Sequence, residues 1–290
     1  MKRKTVLTGV SYFLLFSLFF FIVMFWMARV GLDPSGGTGE RIALIRIEGV
    51  ITQSEEITRL LKQAREDEQI KAILLRIDSP GGAVVPAQEI YEAVLKIKAS
   101  GSKKVVTSMG TIAASGGYYI ASASHFIMAN PGTLTGSLGV IMELTNVEGL
   151  LSKVGIEQRT IKSGAHKDVG SPFRAMTEED KMLLQHVSDD IHEQFIDAVA
   201  KGRSLAVSGV KVLADGRVFT GRQAKTVGLV DGLGTLEDAV IKTAELAGIK
   251  GEPKIIETQN AFSFFKMVQS RVWGSSSYFS PMGFHYLLSF

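Results

Sequence analysis

Short apolar runs alternate with amphipathic stretches along most of this chain. Residues 42–47, 72–77 and 105–109 are brief, rich in Ile, Leu and Val, and bounded by polar or glycine-containing turns, as strands buried on both faces are. Between them, residues 54–66 and 86–99 carry apolar side chains at helical spacing. Further along, the pattern predicts a short strand at 126–128, a helix at 147–154 and a strand at 156–161. Thr177-Glu178-Glu179-Asp180 has the form of a capping box opening a long helix to Lys201. Helices at 207–213 and 221–227 follow, and Thr235 caps another at 236–247 before a last strand at 254–257. This alternation predicts an α/β domain of parallel strands under helices, with ligands at the carboxyl ends of the strands.

The two ends break the pattern. Lys2, Arg3 and Lys4 precede an uncharged, Phe-rich stretch at 5–28. As a helix at about 1.5 Å per residue, residues 6–27 would span roughly 33 Å, enough for a bilayer core. Phe25-Trp26-Met27 lacks the small residues of a signal-peptide cleavage site, so the stretch is expected to be a single-pass anchor that stays attached. Three basic residues before it, against Arg29 after it, put residues 1–5 in the cytoplasm and the working domain outside the cell membrane. Residues 28–40, ending in Gly- and Ser-rich sequence, form a linker, and the domain proper runs from 41 to 258. Residues 259–290 hold nine aromatics in 32 positions, interrupted by Ser and Gly. That composition suits neither a membrane span nor an ordinary disordered tail, and a flexible segment that docks on an apolar surface is expected.

Composition then narrows the chemistry. A net charge of +3, with Lys and Arg spread among Asp and Glu, gives no basic stripe for nucleic acid, so that partner class is set aside. There is no Cys, which removes thiol catalysis and disulfides. The five His are scattered without zinc-motif spacing; His186 and His192 fall on a charged helix and read as surface positions.

One stretch stands out, Met109 to Ala121, MGTIAASGGYYIA. It reads as strand, tight turn, helix, with Ser115 lifted out at a helix N-terminus, where unpaired N–H groups favour developing negative charge. A serine there can attack a carbonyl, with the Gly116 N–H donating to the oxyanion, or it can simply cap the helix. Asp78-Ser79-Pro80-Gly81-Gly82 follows a neighbouring strand and lacks the Lys-Ser/Thr ending of a phosphate loop. Two glycine turns after adjacent strands could supply oxyanion donors from opposite sides. Lys162 to Pro172 is a loop too rich in Gly and Pro for regular structure.

Taken together these motifs resemble the short form of the signal peptide peptidase A family, membrane-anchored serine proteases with the crotonase/Clp-protease fold. The resemblance rests on Asp78-Ser79-Pro80-Gly81-Gly82, Ala114-Ser115-Gly116-Gly117-Tyr118-Tyr119, Gly136-Ser137-Leu138-Gly139-Val140 and the loop from Lys162 to Pro172, and covers the anchor and nearly all of residues 41–250. It implies an α/β crotonase/Clp-like fold of repeated ββα units behind one transmembrane helix. It also implies a Ser-Lys dyad, with Ser115 as nucleophile, Lys167, 52 positions on, as general base, and Ser137 orienting the lysine. The Gly82 and Gly116 N–H groups match the oxyanion hole. No metal or organic cofactor is implied. The implied substrates are hydrophobic peptides, the signal-peptide remnants left in the membrane. The implied assembly is a homo-oligomeric ring, an octamer, in which the lysine comes from a neighbouring subunit.

The chemistry sets its own conditions. A lysine at its free pKa of about 10.4 accepts no proton near neutrality, so such a site must desolvate it. Asp168 is then a difficulty, since a close carboxylate favours the charged amine; neighbours on an extended segment point apart, which would turn it away. A Ser-His-Asp peptidase of the Clp type is disfavoured because His125 falls at the start of a core strand. The stomatin-partner type of membrane Ser-Lys peptidase, with a related fold and a similar serine motif, is disfavoured by the Ser-Gly-Gly-Tyr-Tyr continuation and the Lys167-Asp168 loop; a crotonase acting on acyl-CoA has no use for Ser115, and an inactive membrane-tethered scaffold has no need of the intact set.

Overall fold

The computed structural model of the chain describes residues 12–23, 40–257 and 285–287. Of the first unit, which ends at Gly39, the described residues are 12–23, the helix α1. The rest of the expected membrane span, 6–11 and 24–27, lies outside the described residues, and among the described residues no helix is long and apolar enough to cross a membrane.

The second unit begins at Glu40. Its elements in chain order are β1 (Arg41–Glu48), α2 (Glu55–Glu66), β2 (Ile70–Ser79), β3 (Gly81–Ala83), α3 (Val84–Ser100), β4 (Lys104–Ala114), α4 (Gly116–Ser122), β5 (Phe126–Ala129), β6 (Leu134–Gly136), α5 (Glu148–Lys153), α6 (Glu178–Arg203), α7 (Val207–Leu213), β7 (Val218–Thr220), α8 (Gly221–Thr226), β8 (Gly232–Leu233), α9 (Leu236–Ala247), β9 (Lys254–Glu257) and β10 (His285–Leu287). The main sheet runs β7-β6-β4-β2-β1-β9, with β5 and β8 branching from β4. Its pairings are parallel except β6 with β7. Ile45, Ile73, Leu75 and Ile77 pack on one face of the sheet with Ile90 of α3, Tyr118 of α4 and Phe195 of α6. Ile42, Leu74 and Val106 meet Ala239 of α9 in a second cluster. Covered on both faces, the central strands read as continuous apolar runs rather than as alternating ones.

Two expectations need correcting. The turn expected after Met109 is strand: β4 runs on to Ala114, pairing with β5 over Val106–Ser108 and with β6 over Ile112–Ala114. The strand expected at 156–161 does not form. Ile156 is exposed and Ile161 wholly so, at 101%. Alternating apolar residues make a strand only where a sheet edge accepts their backbone, and this segment pairs with no strand among the described residues. Strands β6, β7 and β8, two or three residues each, are too short for any periodicity to reveal.

Helix α6 opens with the expected capping box, Thr177 Oγ1 accepting from the Asp180 N–H and the Asp180 carboxylate from the Thr177 N–H. Its first half is largely exposed, whereas Phe195, Ile196 and Val199 in its second half are buried. There the Phe195 ring lies 5.0 Å from Tyr119 of α4, which is 4.8 Å edge-on from Tyr91 of α3. Gly202 lets α6 approach α4 closely, because a Cβ on it would stand 2.2 Å from the Ser122 carbonyl oxygen. Gly202→Ala should therefore destabilise the domain by about 1–3 kcal/mol despite alanine's better helix propensity. Gly209→Ala in α7, where nothing lies within 4 Å, should stabilise it by up to about 1 kcal/mol. Chemical denaturation of both variants checks the pair, and equal signs would contradict the packing described.

Candidate active site

The ends of β2, β4 and β6 converge on one point. Asp78, at the end of β2, accepts the Ile112 N–H at 3.1 Å through Oδ1. This carboxylate sits where a side chain at position 110 would be, since a Cβ on Gly110 would lie 2.6 Å from Asp78 Cγ. The register of β2 against β4 jumps here, from Ile77 opposite Met109 to Ser79 opposite Ala113. Gly110, Thr111 and Ile112 are thus a bulge tied down by Asp78. Beyond it β4 reaches Ala114, paired with Gly136 of β6.

Ser115 is the single residue between β4 and α4. Its backbone, at φ 52° and ψ −117°, lies in a region that L residues rarely enter, a strain on the order of 1–3 kcal/mol. The 2.8 Å hydrogen bond from its N–H to the Gly136 carbonyl and the 2.8 Å bond from the Tyr119 N–H to its own carbonyl hold it there. Its side chain is buried, and Oγ has no hydrogen-bond partner among the described residues. A strained strand-to-helix serine is the geometry of nucleophile elbows. The capping alternative does not apply, as the Ser115 side chain caps nothing.

The other expected residues divide. Ser137 follows Gly136 directly, is nearly buried, and also has positive φ, 51°, held by the 2.8 Å bond from its N–H to the Arg217 carbonyl. Ser115 and Ser137 therefore succeed paired residues of adjacent parallel strands. Gly117 packs α4 onto the other turn, since a Cβ there would be 3.0 Å from the Ser79 carbonyl oxygen. Gly116 starts α4. Gly82 lies in β3, whose neighbours Gly81 and Ala83 bond to Ile51, the Ile51 N–H donating to Gly81 and the Ala83 N–H to Ile51. A Cβ on Gly82 would stand 2.1 Å from the Ile51 carbonyl oxygen. Alternation along a strand turns the Gly82 N–H to the opposite edge. On that edge β10 runs antiparallel, with Tyr286 opposite Gly82. The remainder of the aromatic tail, 259–284 and 288–290, lies outside the described residues.

Lys167 makes no hydrogen bond to Ser115 Oγ. It sits in a turn, its N–H donating to the Gly164 carbonyl at 3.1 Å, with its side chain exposed. His125 is occupied as expected of a core position: its Nδ1 accepts from the Val105 N–H at 3.0 Å, and burial pushes its pKa down. His192 is more enclosed than a surface position would be, being half-buried with Nε2 shielded from solvent.

The sequence marks Asp78 only as part of a glycine turn and Asp168 only as a neighbour of Lys167; the bond from Ile112 to Asp78 and the joining of Asp168 to Asp180 through Arg174 are not legible in it. Asp168, the expected difficulty, is held between two cations, Lys162 at 2.5 Å and Arg174 at 2.9 Å. Arg174 also reaches Asp180 at 2.5 Å. Hydrogen bonds from Arg174, then from Lys162, hold the Asp168 carboxyl far below its usual range; Arg174 and the Thr177 N–H do the same for Asp180. Asp180 raises the Arg174 pKa in turn, followed by Asp168. A depressed carboxylate pKa gives stabilisation that is complete above the unfolded value of about 4 and lost as pH falls toward the folded one. Hydrogen exchange over residues 162–180, corrected for intrinsic rates, should be level from about pH 8 to 5 and rise only below about pH 4. Loosening already at neutral pH would contradict these pairings.

The model of peptidase family S49 matches residues 97–250, and that of Clp protease matches residues 38–133. Over 76% of its length the chain is 48% identical to a Synechocystis protein named "Putative protease", covering 79% of that protein. It is 37% identical over 77% of its length to a protein of Enterococcus faecium named "Putative signal peptide peptidase SppA", 66% of which it covers. With Protease 4 of Salmonella typhi it shares 38% identity over 76% of its length, covering 37% of that longer protein.

Proposed function

The chain belongs to peptidase family S49, and on that premise we propose that it is a membrane-bound serine endopeptidase that degrades remnant signal peptides through a Ser115–Lys167 dyad. The observation that carries this reading is the Ser115 hydroxyl, buried, without a hydrogen-bond partner among the described residues, and held at a strained junction between two glycine turns. Lys167 as a neutral amine takes the Ser115 proton as Oγ attacks the scissile carbonyl, and passes it to the leaving amine. Water then releases the acyl group by the same route. The Gly82 and Gly116 N–H groups donate to the oxyanion, and Ser137 orients the lysine. An extended chain already lies along the β3 edge, namely β10. A substrate peptide would add there in the same way, giving affinity through its backbone and leaving its side chains to pockets.

The lysine comes from a neighbouring copy in this reading. Asp180, which anchors the lysine segment, and Phe195, which packs on the serine's helix, are both on α6. At about 1.5 Å per residue they are separated by roughly 22 Å along its axis. The same part of the chain exposes Leu150, Ile156, Ile161, Met182 and Val187, apolar side chains that a second copy would cover. A closed ring of such heterologous contacts, eight-membered by the family resemblance, would shield the lysine from water. The anchor at 6–27 would hold the ring on the outer face of the cell membrane.

Ser115→Ala and Lys167→Ala should each abolish hydrolysis of an apolar peptide, with the double variant hardly worse than either. Ser137→Ala should lose roughly tenfold to thousandfold in kcat. Multiplying losses, or wild-type rates in Ser115→Ala, would sink the dyad. Mixing inactive Ser115→Ala with inactive Lys167→Ala protein should restore activity as subunits exchange. If mixed oligomers form and stay inactive at every ratio, the dyad lies within one chain.

A further inference from the structure

Lys162, Asp168, Arg174 and Asp180, spaced six residues apart, close into one chain of ion pairs. Arg174 is its centre. Nε meets Asp168 Oδ2 at 2.9 Å and Nη2 meets Oδ1 at 3.1 Å, a bidentate grip; Nη2 also reaches the Asp168 carbonyl at 3.3 Å. Nη1 donates to Asp180 Oδ2 at 2.5 Å and to the Ala175 carbonyl at 3.0 Å. An exposed ion pair contributes little, but the two carboxylate side chains here are only 11% and 6% exposed. Planar, five-donor geometry suits arginine to this task and lysine poorly.

What the guanidinium joins is specific. Asp180 is fixed independently, as the third residue of α6 and half of its capping box. Asp168 is the residue after Lys167, in a segment with turns but no helix or strand between Lys162 and Ser171. No ladder of backbone bonds orients Lys167 there. We propose that Arg174 is a positioning residue for Lys167, fastening the lysine-bearing turn to the start of α6 so that the amine is presented in one place. This rests on the reading of Lys167 as the general base. It holds whether the lysine serves its own chain or a neighbour, because either way the turn must be rigid relative to α6. The grip also engages the Asp168 carboxylate, leaving it turned toward Arg174.

The test uses the full-length protein carrying Arg174→Gln, Asp168→Asn, both together, or Arg174→Lys. Arg174→Gln and Asp168→Asn should each lower kcat on an apolar fluorogenic peptide by roughly tenfold to thousandfold. KM should stay within about twofold, because neither side chain touches the substrate. The rate of Ser115 acylation by a fluorophosphonate should fall by the same factor, the double variant should be no worse than the poorer single one, and Arg174→Lys should fall in between. Should Arg174→Gln fail to assemble, the near-isosteric Asp168→Asn carries the test. A wild-type kcat in Arg174→Gln or Asp168→Asn, or losses that multiply, would overturn the inference, as would a KM that rises while kcat holds. Lys167→Ala separates the two readings. If it stays active, Lys167 is not the base; if it is dead while Arg174→Gln and Asp168→Asn both turn over normally, only the positioning role is wrong.

Discussion

The geometry of this molecule depends on the Asp78 carboxylate lying in the space that Gly110 leaves empty. A central strand normally stays with its neighbours, yet β4 has to leave β5, run past the end of β2 and join β6. That requires a bulge, and a bulge leaves backbone donors unpaired. Asp78 takes one of them, the Ile112 N–H. The carboxylate converts a local defect of the ladder into a fixed change of direction, and the last residues of β4 then aim Ser115 at the junction of three strand ends.

The strain at Ser115 has to be held from outside, and the holding groups come from distant parts of the chain. Gly136 accepts its N–H, Gly117 lets the start of α4 approach Ser79, and α6 covers α4 through Phe195 and Gly202. Gly82 is compressed just as tightly against Ile51. At Gly117 and Gly202 glycine serves through the absence of a Cβ, whereas Gly136 and Gly82 combine that with positive φ, and the site is a place where backbones touch.

Around Lys167 the organisation is different. There the chain leaves the sheet, loses regular structure after α5 and is ordered by charge, with one arginine shared between two carboxylates. Apolar side chains remain exposed in this part, whereas the sheet buries nearly all of its own. A segment ordered by ion pairs and edged with exposed apolar residues is compatible with the proposed completion by another copy, as is a Ser115 hydroxyl with no hydrogen-bond partner among the described residues.

Residues 42–47, 72–77 and 105–109 were legible as buried strands because parallel strands covered on both faces must be apolar throughout. The caps of α6 and α9 were legible because a capping box is a local bond between residues three apart. Ser115, Gly116 and the glycine turn that ends in Gly82 could be named as candidates from glycine-rich turns at strand ends, whereas Ser137 came only from the family resemblance. Local sequence thus determined which segments are strands and helices and which polar residues sit at their ends. Tertiary structure alone decided the rest: that 156–161 is no strand, for want of an edge; that β4 continues through a bulge, because Asp78 is 34 positions from the N–H it accepts; and that Arg174 grips both Asp168 and Asp180. The reason is the same in each case. Propensity and capping act over a few residues along the chain, whereas ladder pairing, missing-Cβ contacts and shared charges depend on groups that only folding makes neighbours.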